Sequence, residues 1–278
     1  MSNHSVKITI LVDNEAQDGL EKEHGFAAWI EAGGKHILFD TGHEGALQEN
    51  ARRLGIDLGK ADFLVISHGH KDHTGTLDQI LAINDRVHLY FANKIDVTRY
   101  WYTPDPAEYG MPAASREALA ALPPERIHSL SAPVYLAPGI GVTGPVHRQT
   151  LFENTGGTFY FDPDRTEMDP IDDDQSMWFE SSDGLVVLVG CCHSGLSNTI
   201  DHIRKFSGID KVCGVIGGMH LLQANEERLQ KTFEAMHGWN ARFLVPCHCT
   251  GKEATLEMEK ALGEVVMPGR AGMVIEVP

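Results

Sequence analysis

The chain has no apolar run of membrane-spanning length, since a spanning helix needs about 20 consecutive, mainly apolar residues. No membrane partner is expected. Met1 to Ile10 alternates polar and apolar residues, so nothing in that stretch resembles a secretory signal. Cysteine is scarce: Cys191, Cys192, Cys213, Cys247 and Cys249 all fall in the last third. An odd number so placed is not a disulfide framework and fits reduced thiols in a cytoplasm. Basic side chains are few as well, 23 against 39 acidic ones, for a formal net charge of -16. A field of that sign repels a phosphate backbone and argues against nucleic-acid partners. Also missing are a G-x-x-x-x-G-K-[ST] loop and a G-x-S-x-G elbow. Their absence removes the usual nucleotide-kinase and serine-hydrolase readings.

What the chain does have is histidine, 15 of them in 278 residues, several at the ends of apolar runs. Val6 to Val12 has the two-residue period of a strand with one buried face, and Phe26–Glu31 and His36–Phe39 read as a hairpin around Gly33-Gly34. Glu44 to Leu54 has helical spacing, with Gly55 as its stop. Phe63-Leu64-Val65-Ile66 is a short continuous apolar run, the mark of a strand buried on both faces. Arg86 to Ala92 predicts another strand, and Pro112 to Leu130 a short helix. Tyr100, Trp101, Tyr102, Pro104, Pro106 and Tyr109 form an irregular aromatic excursion. Those aromatics serve either as the wall of a pocket for a flat ring or as a lid packing on its own core. Several short strands are expected over 132–161, and the acidic segment Asp162–Asp174 predicts a solvated loop.

Beyond residue 184, strands and helices alternate: Leu185–Val189, Gly195–Lys205, Val212–Ile216, Asn225–His237, Phe243–Val245 and Ala254–Leu262. Alternation of this kind builds a layered α/β fold. Each of the three strands runs into a histidine-bearing loop, at His193, His220 and His248. The carboxyl ends of such strands are where ligands bind. One domain over 1–278 is expected, with a lid-like excursion around 95–130.

The chemistry concentrates in Ser67-His68-Gly69-His70-Lys71-Asp72-His73-Thr74-Gly75, four metal-ligand types within six residues directly after a buried strand. Imidazole with carboxylate suits zinc, iron or manganese. His68 and His70 can turn towards one ion while Asp72 and His73 face another, so two divalent ions are expected. Such a pair lowers the pKa of a bridging water towards neutrality.

This motif resembles the signature of the metallo-β-lactamase superfamily. The likeness extends through Glu23-His24-Gly25, Leu38-Phe39-Asp40-Thr41-Gly42, Gly190-Cys191-Cys192-His193-Ser194-Gly195, Gly217-Gly218-Met219-His220 and Pro246-Cys247-His248-Cys249. Together these are similar to the branch of dihydropterin-ribofuranosylaminobenzene phosphate synthase-like proteins. The resemblance implies an αββα sandwich with a dinuclear site along one edge. It implies that His68 and His70 hold a first ion and Asp72, His73 and His248 a second. Many members carry Asp where this chain has Cys191 after Gly190. His193 is expected to complete the first site. Cys191 or Cys192 is either a bridging thiolate or a small buried hydrophobe.

Asp72 and His220 are the expected catalytic residues. His220 would donate a proton to a leaving group or bind a substrate oxyanion, with metal ligand and structural residue as its competing roles. Asp40 is expected to orient a liganding imidazole. His24 reaches the cleft or packs on the sheet, and Cys247 and Cys249 pack beside the site. Ser194-Gly195 opens a helix whose free amides would favour an anion. The expected function is a dinuclear metal-dependent hydrolase using a bridging hydroxide, with zinc the first choice of metal. Its expected partner is a small molecule, a phosphoester first. Alternatives are a pterin-related synthase and a non-hydrolytic metal-binding sensor. A homo-oligomer is compatible with the sequence, which does not specify one.

Overall fold

A computed structural model describes residues 5–102 and 105–278; residues 1–4 and Pro104 of the readings above lie outside the described residues. The chain first lays down β1 (Val6–Val12), β2 (Ala27–Ala32), β3 (Lys35–Phe39), β4 (Phe63–Val65) and β5 (His88–Ala92). Helices α1 (Ala46–Arg53), α2 (Lys71–Thr74) and α3 (Leu77–Ile83) connect the last three. β6 (Tyr100–Tyr102) and β7 (Pro106–Glu108) then leave the sheet, and α4 (Ala113–Ala120) leads back to it at β8 (Ile127–Leu130). β9 (Val134–Ala137) and β10 (Ile140–Val142) begin a second sheet, and β11 (Phe159–Tyr160) returns to pair with β6. The second sheet is completed by β12 (Ser176–Ser181), β13 (Gly184–Val189), β14 (Val212–Gly218) and β15 (Phe243–Cys247). Helices α5 (Leu196–Ser207), α6 (Glu226–Trp239) and α7 (Lys252–Leu262) cover it, and β16 (Val274–Val277) closes on β1.

The layers follow from where alternate side chains go. In β13, Val186 and Leu188 enter the core between the two sheets, while Leu185, Val187 and Val189 pack beneath the second sheet's helices. Such a strand must be apolar at every position, as this one is. On the other side, Leu38 and Leu64 pack with Leu47 and Ala51 of α1 and Ile80 of α3. Three apolar interlayers therefore separate four layers, helix, sheet, sheet and helix, the αββα sandwich that the sequence led one to expect. Among the described residues no helix is long and apolar enough to cross a membrane.

Two expectations need correction. The region after Pro112 holds α4 and then β8, which pairs in parallel with β5. The mixed residues of Ile127–Leu130, half polar and only partly buried, hide this edge strand from a periodicity argument. Asp162–Asp174 is not a solvated loop throughout, because Asp169, Asp173 and Asp174 are fully buried. Asp169 and Asp173 neutralise Arg99, itself buried, at 2.7 Å each. Paired partners make burial of such charges tolerable.

Parallel pairing sets the position of the site. β3 and β4 run parallel, as do β13, β14 and β15, so their carboxyl ends lie along one rim of the sandwich. Asp40, the His68–His73 loop, Cys191–His193, His220 and His248 all leave from those ends.

Candidate metal centre

The loop after β4 is held from below by Asp40. Its Oδ1 accepts the Ser67 amide at 2.7 Å, and its Oδ2 accepts the Ser67 hydroxyl at 2.7 Å while lying 2.7 Å from His73 Nδ1. Gly190 permits this arrangement, because a Cβ there would collide with the Ser67 side chain. Asp40, Cys192, His220 and His248 all adopt positive φ, between 46° and 58°. Strained backbone of this kind gathers at functional sites, held by its surroundings.

Four imidazoles share one design. The Nδ1 atoms of His68, His73, His193 and His248 face Ser67 Oγ at 2.9 Å, Asp40 Oδ2 at 2.7 Å, Thr155 O at 2.6 Å and Asn14 Oδ1 at 3.0 Å. Tethering one nitrogen to an acceptor fixes the tautomer and aims the bare Nε2 inward, as in metal sites. His70 faces the other way round, with Nδ1 at 2.9 Å from His68 Nε2. The donor atoms of His68, His70 and His193 lie within 4.8 Å of one another.

Beside that group, His248 Nε2 stands 3.2 Å from Asp72 Oδ2, and His73 Nε2 lies 3.1 Å from Cys191 Sγ. The thiol question thus divides. Cys191 faces the imidazoles, whereas Cys192 is turned into the core with Thr199 Oγ1 at 3.5 Å. Cys249 Sγ groups with Cys191 and His248.

Asp72 Oδ1, His193 Nε2, His220 Nδ1 and His248 Nε2 are buried without a hydrogen-bond partner. Each such atom costs about 1–3 kcal/mol, and a shared cation is what relieves that cost at one stroke. The donor set therefore fits divalent metal.

Electrostatics agree. Burial, reinforced by neighbouring imidazoles and at His70 by the Arg99 charge, holds His68, His70 and His193 well below the usual histidine range, so all three are neutral at pH 7. Burial takes His248 down to about 4, and burial with the Arg228 charge takes His220 to about 3. His220 is accordingly neutral as well. Burial works against ionised Asp72, yet the His73 charge and the His24 and His248 rings beside it outweigh burial and keep the carboxyl well below its usual range. His73 is raised: burial opposes its charge, but Asp40 and Asp72 prevail. Burial and Cys249 push the Cys191 thiol well up, so it becomes thiolate only against a cation.

His68, His70, Asp72, His73, His193 and His248 are thus brought together, with His220 at 4.3 Å ring to ring from His193. The start of α5 is not an anion site, because Glu153 already caps it, accepting the Ser197 and Asn198 amides at 2.7 and 3.0 Å. Asn14 escaped the sequence reading; the available signal was a polar Asp13-Asn14 pair directly after the apolar β1. A cavity of about 550 Å³ opens on the site, walled on one side by Trp101, Tyr109 and Phe159 and on another by Leu222, Lys252 and Leu256. Trp101 and Tyr109 line the cavity, while Tyr102 packs against Tyr160 and Arg165 within the small sheet of β11, β6 and β7.

Residues 21–147 match the family model of the metallo-β-lactamase superfamily. Over 97% of its length the chain is 31% identical to an uncharacterized protein of Methanocaldococcus jannaschii, all of which is covered. It is 29% identical to that organism's 7,8-dihydropterin-6-methyl-4-(β-D-ribofuranosyl)-aminobenzene-5'-phosphate synthase, over 90% of this chain and 89% of the relative. Among solved structures, Tm1679, a metal-dependent hydrolase of the β-lactamase superfamily, superposes with a TM-score of 0.82 at 27% identity. That match covers 98% of this chain and 99% of Tm1679. PqqB from Methylobacterium extorquens, solved with Zn²⁺ bound, shares the fold at a TM-score of 0.59 and 11% identity, over 98% of this chain and all of PqqB. The loop motif, the four-layer architecture and the convergent imidazoles agree with these likenesses, and the chain belongs to the metallo-β-lactamase superfamily.

Proposed function

We propose that the protein is a dinuclear metal-dependent hydrolase acting on a small phosphoester. His68, His70 and His193 would hold one ion and Asp72, His73 and His248 the other, with zinc the metal that imidazole, carboxylate and a nearby thiol suit best. The observation that carries this reading is the set of buried, unpaired donor atoms converging where the cavity meets the sheet ends. When bound, two such ions supply a water-derived nucleophile at neutral pH and offset charge developing on the substrate.

The protein's own groups do the rest. Asp40, Ser67, Thr155 and Asn14 orient the imidazoles, so little reorganisation is left for the reaction itself. Asp72 stays ionised and anchors the open side. His220, neutral and aimed at the same space, offers a hydrogen bond to a substrate oxygen. Among the described residues, Lys252 is the one lysine or arginine lining the cavity, against Asp13, Glu15, Asp72 and Glu259. That balance favours a monoanionic diester over a polyphosphate. The aromatic wall would take a flat organic moiety, with the β11-β6-β7 sheet as its lid. Five free, buried cysteines fit a reducing cytoplasm.

Elemental analysis with turnover of bis(4-nitrophenyl) phosphate tests this reading. Two ions per chain and metal-dependent cleavage are expected; a metal-free protein after loading refutes it. A pterin-related synthase is the second reading, favoured by the named relative at 29% identity and by the Trp101–Phe159 wall. Product analysis with a pterin and an arylamine partner separates the two.

A further inference from the structure

Glu23-His24-Gly25 stands outside the ligand set proposed above, yet the fold builds it into the site, with His24 beside Asp72 and His248. The Glu23 carboxylate accepts four successive amides leading into α1, those of His43, Glu44, Gly45 and Ala46, at 2.8–3.3 Å. Two residues on, Gly25 passes so close to the metal loop that a Cβ would stand 2.7 Å from Asp72 O, at a φ of +157°. Phe26 then donates its amide to that same carbonyl at 3.2 Å. The chain is stapled on both sides of His24, and the ring between the staples projects into the cavity with its side chain 54% exposed.

There His24 meets Tyr109. His24 Nε2 lies 3.1 Å from Tyr109 Oη, and the Tyr109 hydroxyl donates to Asp72 Oδ2 at 3.1 Å. The Tyr109 backbone is fixed too, since its carbonyl accepts the Lys71 amide at 3.0 Å and its amide donates to Arg99 O at 2.8 Å. Burial and the Asp72 charge push its hydroxyl pKa up, so it remains a donor at every working pH.

Asp72 Oδ2 is oversubscribed. Tyr109 Oη, His24 Nε2 and His248 Nε2 crowd it at 3.1, 3.2 and 3.2 Å, although a carboxylate oxygen offers about two lone-pair sites. His248 is buried and tethered to Asn14, so the groups with freedom to turn are His24 and Tyr109. Both line the cavity and neither belongs to the proposed ligand set.

We infer that His24 and Tyr109 form a substrate-contacting pair, two hydrogen-bond donors that together hold one non-bridging oxygen of a bound phosphoester beside Asp72. This rests on the hydrolase reading and adds to it the groups that recognise the oxyanion. In the full-length, metal-loaded protein, His24→Gln and Tyr109→Phe should each lower kcat/KM on bis(4-nitrophenyl) phosphate roughly 10- to 100-fold, as loss of a hydrogen bond to a charged group does. Each should weaken inorganic phosphate binding in calorimetry by a similar factor and leave metal content unchanged. The double variant should lose less than the product of the single losses, because both groups serve one atom. Wild-type kinetics and phosphate affinity in both single variants would overturn the pairing alone, as would loss of an ion from His24→Gln, which would make His24 a ligand. A loaded wild type that neither cleaves the diester nor binds phosphate would overturn the hydrolase reading and the pair with it.

Discussion

Asp173 Oδ2 accepts the amide of Gly69, the residue between His68 and His70, at 2.8 Å. The same oxygen takes Arg99 Nη1 at 2.9 Å, and the other takes Nη2 at 2.7 Å. A buried ion pair thus grips the backbone of the metal loop.

Removing one partner leaves a buried, uncompensated charge. Asp173→Ala should destabilise the fold by about 3–5 kcal/mol and weaken metal binding, because Gly69 loses its anchor. Urea unfolding with zinc titration of the folded fraction checks both. Wild-type stability with wild-type zinc affinity would mean the strut is ornamental to the site.

Asp40 fixes the His73 ring without facing the cavity. Asp40→Asn should reduce affinity for one ion of the two by about 10- to 100-fold, the usual cost of losing a carboxylate behind a liganding imidazole. Competition with a chromophoric chelator measures it, and equal affinities in variant and wild type would exclude the role.

Cys191 and Cys192 are neighbours facing opposite ways. Cobalt-loaded protein should show thiolate-to-metal charge transfer that Cys191→Ser abolishes and Cys192→Ser preserves. A spectrum indifferent to Cys191→Ser would place its sulfur outside the coordination sphere.

Acid should destabilise the metal-free protein. His68, His70 and His193 are held well below their usual pKa, His248 at about 4 and His220 at about 3. Below about pH 6.5 the unfolded chain binds protons that the folded imidazoles refuse, so stability present above that pH is lost progressively as pH falls towards 3–4. At pH 5 each contributes at most about 2 kcal/mol of loss. Asp13 and Asp174, both raised by burial to about 6, act oppositely, because the folded state takes up their protons first between about pH 6 and 4. Asp40, Asp169 and His73 are raised as well and act the same way as Asp13 and Asp174. Yet the five depressed imidazoles, each losing up to about 2 kcal/mol at pH 5, set the sign, so thermal melting of apoprotein should drop from pH 7.5 to pH 5. A flat or rising Tm would contradict the assignment of neutral, buried imidazoles.

Much of this was legible in the sequence, for definable reasons. Leu185–Val189 announces a strand covered on both faces because it is apolar throughout, and residues 68–73 announce a ligand loop because four donor types follow a buried run. What stayed hidden depends on chain-distant closure. Arg99 and Asp173 are 74 residues apart, and Asn14 and His248 are 234 apart. Nothing local distinguishes such a carboxylate from a solvated one. Glu153 shows the same limit: the start of α5 reads as a free anion site until a loop 44 residues away fills it.

The most direct test is anomalous diffraction at the zinc absorption edge from crystals of the zinc-loaded protein. Two peaks are predicted, one enclosed by His68 Nε2, His70 Nδ1 and His193 Nε2 and one beside Asp72, His73 and His248. No peak at either position in fully loaded crystals, or ions bound only elsewhere on the surface, would contradict the account.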